Sequence, residues 1–113
     1  MTETMGTTVR VVLTTAPTVE VAQELGSAVV GERLAACANV LPGVTSIYRW
    51  EGEVKHEGEV LVILKTTAGA VEQLRARIVE LHPYDVPEVV VLSVWAGHEP
   101  YLAWVRAEVD LAP

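Results

Sequence analysis

A chain of 113 residues that is 50% hydrophobic suits one compact domain, and a second is not expected. Fifteen acidic against eight basic residues leave a formal charge of −7, which disfavours phosphate backbones and anionic lipid surfaces as partners. No run of about 18 apolar residues offers a membrane span, the opening Met1-Thr2-Glu3-Thr4-Met5 lacks signal-peptide character, and the one cysteine, Cys37, agrees with a reducing compartment, so a cytoplasmic protein is expected.

Residues 1–8 are polar and aperiodic and read as a flexible N-terminal lead-in to a single domain over 9–109. Val9 to Thr15 is short and rich in β-branched residues, which predicts a strand. Thr18 is a candidate N-cap for a helix to about Leu34, with Ala22, Leu25 and Val29 on its apolar stripe. A strand then runs from about Ala36, bends at Pro42-Gly43 and resumes through Val44, Ile47 and Trp50. Val60 to Thr66 predicts its hairpin partner, with a tip at Glu51-Gly52 or nearer Gly58. Thr67 can cap a second helix whose Val71, Leu74, Ile78 and Leu81 share one face. Pro83 and Pro87 stiffen a bend, His82 to Glu88, before a strand from Val89 to Trp95, and Pro100 opens a final helix through Val109.

This order gives an α+β, ferredoxin-like split βαβ fold: βαββαβ plus a C-terminal helix, with an antiparallel sheet and a long hairpin between the second and third strands. Both long helices should cover one sheet face. The other is not polar enough for solvent, because Val60, Val62 and Leu64 alternate with Glu59, Leu61, Ile63 and Lys65, and Val9, Val11 and Leu13 with Arg10, Val12 and Thr14. Self-association is therefore expected, since apolar burial is worth about 25 cal/mol per Å².

Chemistry is sparse. His82 is the best candidate for proton transfer or metal ligation, or else it serves the helix dipole at a C-terminus. No Cys or His pair has metal-ligand spacing, and no nucleophile elbow, phosphate loop or Rossmann glycine pattern occurs. Cys37 among alanines reads as a packed thiol. Glu59 and Lys65 share strand parity and point to the uncovered face with Trp50 or Tyr48 across the hairpin, and Tyr101 and Trp104 lie three apart on the last helix. An enzymatic role for His82 and Glu88 as acid and base has only proximity in sequence behind it.

From Val9 to Val109 the chain resembles the CutA divalent-cation-tolerance family. The likeness rests on Thr15-Ala16-Pro17, the run Glu32 to Asn39, the run Ser46 to Gly52, Glu59 with Lys65-Thr66, His82-Pro83-Tyr84 with Pro87-Glu88, and Tyr101 to Trp104. It implies a homotrimer similar in fold to PII signalling proteins, whose long hairpins extend each neighbour's sheet. It implies intersubunit clefts in which Trp50, Glu59, Lys65, His82 and Tyr84 gather. Copper ligation attributed to the family uses a cysteine before the Thr-Ala-Pro turn and two adjacent histidines; Thr14 and Leu81 stand at two of those positions, so His82 alone is left as a metal candidate. The resemblance implies a non-enzymatic trimeric binding or regulatory protein linked to divalent-cation (copper) tolerance. No cofactor is required, and a divalent metal ion such as copper(II) is the candidate ligand. The alternative is a PII-like sensor of a small metabolite, taken as an anion by Lys65 and His82 between subunits.

Overall fold

A computed structural model describes residues 6–109, so the predicted lead-in falls outside the described residues over 1–5. The elements are β1 (Val9–Ala16), α1 (Val19–Gly31), β2 (Cys37–Trp50), β3 (Glu53–Thr67), a 3-10 turn (Ala68–Ala70), α2 (Val71–Leu81), β4 (Val90–Ser93) and α3 (Glu99–Glu108). The strands form one antiparallel sheet in the order β2-β3-β1-β4, the ferredoxin-like arrangement expected from the element order.

Local chemistry sets most boundaries. Thr18 caps α1 by accepting the Val21 N–H at 3.1 Å. The helix stops at Gly31 rather than near Leu34, because Arg33 adopts φ 62° and turns the chain out. The Arg33 N–H then donates to Val30 at 3.0 Å and the Leu34 N–H to Val29 at 2.9 Å, which satisfies the last helical carbonyls as a Schellman motif does. The hydroxyl of Thr67 makes no capping bond; a 3-10 turn separates Thr67 from α2, and the turn's Ala70 is the residue that precedes that helix. At the start of the chain, Thr7 donates both its N–H (3.1 Å) and its hydroxyl (2.8 Å) to the Val94 carbonyl, so the inner end of the predicted lead-in is fastened to the sheet.

One sheet face is the core. Val12 and Ala16 of β1 and Val60, Val62 and Leu64 of β3 pack there against Ala22, Leu25 and Val29 of α1 and Leu74 and Ile78 of α2, all within 5% of full burial. Each such aliphatic side chain contributes about 1.5–3 kcal/mol relative to exposure. α3 closes a smaller cluster, Leu102, Val105 and Val109 against Val9, Ala36 and Ala70. α3 covers the end of the opposite face that holds Val9; over the rest of it Val11, Leu13, Leu61 and Ile63 are half-buried, and Leu41, Val90 and Leu92 are exposed.

The hairpin is longer than the sequence suggested. β3 begins at Glu53, not Val60, and its charged first half pairs with β2 through Trp50↔Glu53. β1 meets β3 only from Val60 onward, so residues 44–59 project as a two-stranded arm. Its tip is Glu51-Gly52, both at positive φ (50° and 81°), the signature of a type I′ turn, which settles the choice left open between Glu51-Gly52 and Gly58. Because nothing lies near an added Cβ at Gly52, Gly52→Ala should cost only the left-handed backbone strain, about 1 kcal/mol, while Glu51→Asn should stabilise the turn. Amide hydrogen exchange at Tyr48 to Lys55 measures both: faster in the first variant and slower in the second.

Candidate functional site

The site is set up by one extra residue. Leu41 pairs with Leu61 and Val44 with Glu59, so β2 advances three residues while β3 advances two. This bulge holds Gly43 at φ 85°. Side chains alternate faces along a strand, so the bulge reverses the parity of β2 beyond it. Ser46, Tyr48 and Trp50 thereby share a face with Lys55, Glu57 and Glu59 of β3, through the pairs Ser46↔Glu57 and Tyr48↔Lys55.

The second wall is the bend between α2 and β4. α2 ends at His82, whose N–H donates to the Ile78 carbonyl at 2.9 Å and whose imidazole is buried. The Tyr84 N–H donates to His82 Nδ1 at 3.1 Å, so Nδ1 carries no hydrogen; Nε2 carries it and donates to the Thr15 carbonyl at 2.6 Å. The tilted His82 and Tyr84 rings, 4.6 Å apart, add a packing contact. Tyr84 is thus fixed at both ends, its hydroxyl donating to Glu59 Oε2 at 2.9 Å.

Between the arm and the bend lies a cleft of about 650 Å³ lined by Thr15, Ser46, Ile47, Tyr48, Trp50, Lys55, Glu57, Glu59, Tyr84, Val86 and Glu88. A second phenol–carboxylate pair, Tyr48 to Glu57 Oε1 at 2.5 Å, stands beside the first. Both phenols hold their protons more tightly than usual. Burial first and the Glu59 hydrogen bond second push Tyr84 up to about 12, while the bond to Glu57 raises Tyr48.

Three residues expected at the site, Trp50, Glu59 and Tyr84, meet in this cleft. His82 stands behind it as a support. Both of its ring nitrogens are committed within the chain, so a metal taken by His82 would have to break one of those bonds. Lys65 is elsewhere: it pairs with Val11 and Cys37, six residues from Glu59 and so about 20 Å along the strand. There its ammonium donates to Asn39 Oδ1, which also accepts from the Cys37 thiol at 3.8 Å. Within one chain, therefore, Lys65 and His82 form no joint anion site. Tyr101 and Trp104 lie on α3 with ring centroids 5.7 Å apart, outside the cleft. Among the described residues no group of three or more His, Cys, Asp or Glu side chains is placed to hold a metal ion.

Sequence reasoning missed Lys55 and Glu57 as site residues and named Glu88 only as half of an acid–base pair. Their signal was the parity they share with Glu59, which is readable only once the hairpin tip is known.

The family model described as CutA1 divalent ion tolerance protein matches residues 10–108. The divalent-cation tolerance protein CutA of Thermus thermophilus is 52% identical over 96 residues, 85% of this chain and 93% of that protein. Among solved structures, the PII-like protein CutA from Nostoc sp. PCC 7120 in apo form is similar with a TM-score of 0.85 at 39% identity, over 91% of this chain and 99% of that one. The periplasmic divalent cation tolerance protein CutA from Archaeoglobus fulgidus gives 0.87 at 26% identity, over 90% of this chain and 99% of that one.

Two measurements check this geometry. His82→Ala removes one buried and one part-buried hydrogen bond, and the loss should be about 2–4 kcal/mol in chemical denaturation. Copper(II) calorimetry should give the same heats before and after that substitution; a loss of binding would restore the ligand role. Alkaline stability follows from Tyr84: its pKa is higher folded than unfolded, so its contribution is complete below about pH 10 and is lost as pH rises towards about 12. Tyr84→Phe should flatten that part of the stability–pH curve and remove the highest-pH component of the tyrosinate absorbance titration.

Proposed function

We propose, because the chain belongs to the CutA1 divalent ion tolerance family, that it is a non-enzymatic, homotrimeric binding protein serving divalent-cation tolerance, with its ligand taken in the cleft between arm and bend. The observation that carries this reading is the cleft itself. Its volume lies in the ordinary range for small-molecule sites, and its phenols are held in place by backbone and carboxylate partners before any ligand arrives.

Self-association is supported by what one chain leaves open. An isolated two-stranded hairpin is marginal in water, so residues 44–59 need a neighbour. The uncovered sheet face, with Leu41, Val90 and Leu92 each more than 40% exposed, needs the same. Three copies is the number in keeping with the PII likeness. No helix among the described residues is long and apolar enough to cross a membrane. The compartment proposed is the cytoplasm, in keeping with the one unpaired cysteine; the periplasmic location belongs to the Archaeoglobus relative's own description.

A second reading, a PII-like sensor of a small metabolite, draws on the same cleft. It differs from direct cation handling in what the site binds, and the absence of a metal-ligand group among the described residues favours it.

Light scattering after size exclusion decides the assembly. The expected mass is three times the 12.2 kDa chain at micromolar concentration, falling towards one chain in Leu92→Glu. A wild-type protein that runs as a single chain would overturn the proposal.

A further inference from the structure

The cleft's lining points to a narrower class of ligand than its family name suggests. Three carboxylates, Glu57, Glu59 and Glu88, face one ammonium, Lys55, which is itself drawn to Glu53 at 3.7 Å. Alongside them stand three aromatic rings, Tyr48, Trp50 and Tyr84, and half of the Trp50 surface is open. An anion would meet unfavourable potential here. A bare divalent cation needs oxygen ligands converging on one point, yet no such group is present among the described residues, and two of the carboxylates already accept phenol hydrogens. Rings beside carboxylates suit a different guest, because an alkylated ammonium is attracted by a π face while the carboxylates neutralise its charge.

We propose that the cleft binds a compact organic ammonium ion, such as an alkyl diamine or a quaternary amine, between the Tyr48, Trp50 and Tyr84 rings and the carboxylates of Glu57, Glu59 and Glu88. This rests on the cleft being the binding site of the oligomer. The Tyr48–Glu57 and Tyr84–Glu59 bonds fix the rings and keep one oxygen of each carboxylate occupied, which leaves the other to face the guest. The chain's formal charge of −7 favours the approach of such an ion.

The test is calorimetry at constant ionic strength on the full chain, with putrescine and tetramethylammonium as probes and ATP, citrate, magnesium and copper(II) as comparisons. Saturable binding of both amines is expected, weakened at least tenfold by Glu57→Gln with Glu59→Gln and by Trp50→Leu. Glu88→Gln alone, on the other wall, should weaken it severalfold, which keeps the test informative if the double variant fails to fold. Lys65→Gln, outside the cleft, should leave it unchanged. Absence of amine binding to an oligomer of the expected mass would overturn the ligand class while leaving the assembly standing. So would tighter binding of an anion or a metal that shows the same dependence on Glu57 and Glu59. A single-chain mass would instead remove the reading on which the inference rests.

Discussion

The inserted residue at Pro42-Gly43 is the constraint from which the rest of the molecule follows. On the core side of it, Cys37, Asn39 and Leu41 lie on the open face of the sheet; beyond it, Ser46, Tyr48 and Trp50 do. A regular strand would have sent the latter three to the opposite side, away from Glu57 and Glu59, and the Tyr48–Glu57 pair could not form. Gly43 makes the insertion inexpensive because φ 85° is open to glycine, and no neighbour crowds the position, so the requirement is one of backbone and not of space.

Arm and sheet face present the same thermodynamic problem from two directions. The arm has seven cross-strand pairs outside the four-stranded sheet and no helix behind it. The open face has apolar side chains on all four strands: Leu41, Ile63, Leu13 and Leu92 among them. Both features support the proposed assembly, in which a neighbour would cover them. The cleft lies where the arm leaves the sheet, so an assembly that steadies the arm also steadies one wall of the site.

The fold was legible because its signals are periodic and local. Leu74, Ile78 and their partners repeat at helical spacing, Thr18 is a capping residue followed by an apolar stripe, and the element order admits one familiar topology. What misled were boundaries that depend on backbone or tertiary context. Arg33 in a left-handed conformation ends α1 where a glycine would have advertised the stop. The charged run Glu53 to Glu59 reads as loop by composition, yet it is strand because it pairs across a tight turn. At the site, Trp50, Glu59 and Tyr84 were legible through motif and parity. Lys65 shares the open face with Glu59, as parity says, yet stands six positions along the strand, so one chain alone does not bring the two together.

His82 shows why the most chemically versatile side chain in the molecule is a positioning residue. β4 was expected to run from Val89 to Trp95 but is only four residues long, and its last pair with β1 is Leu13↔Val90. Thr15 lies beyond that pair, so its carbonyl takes a hydrogen from the imidazole in place of a strand N–H. The other ring nitrogen then takes the Tyr84 N–H, and Tyr84 delivers its hydroxyl to Glu59 on the arm. One neutral imidazole thus links β1, the bend and the arm in a single chain of hydrogen bonds. Recruiting it as a proton carrier or metal ligand would break that chain at its centre, and the Tyr84 ring and the Glu59 carboxylate that it positions are what remain for a ligand to meet.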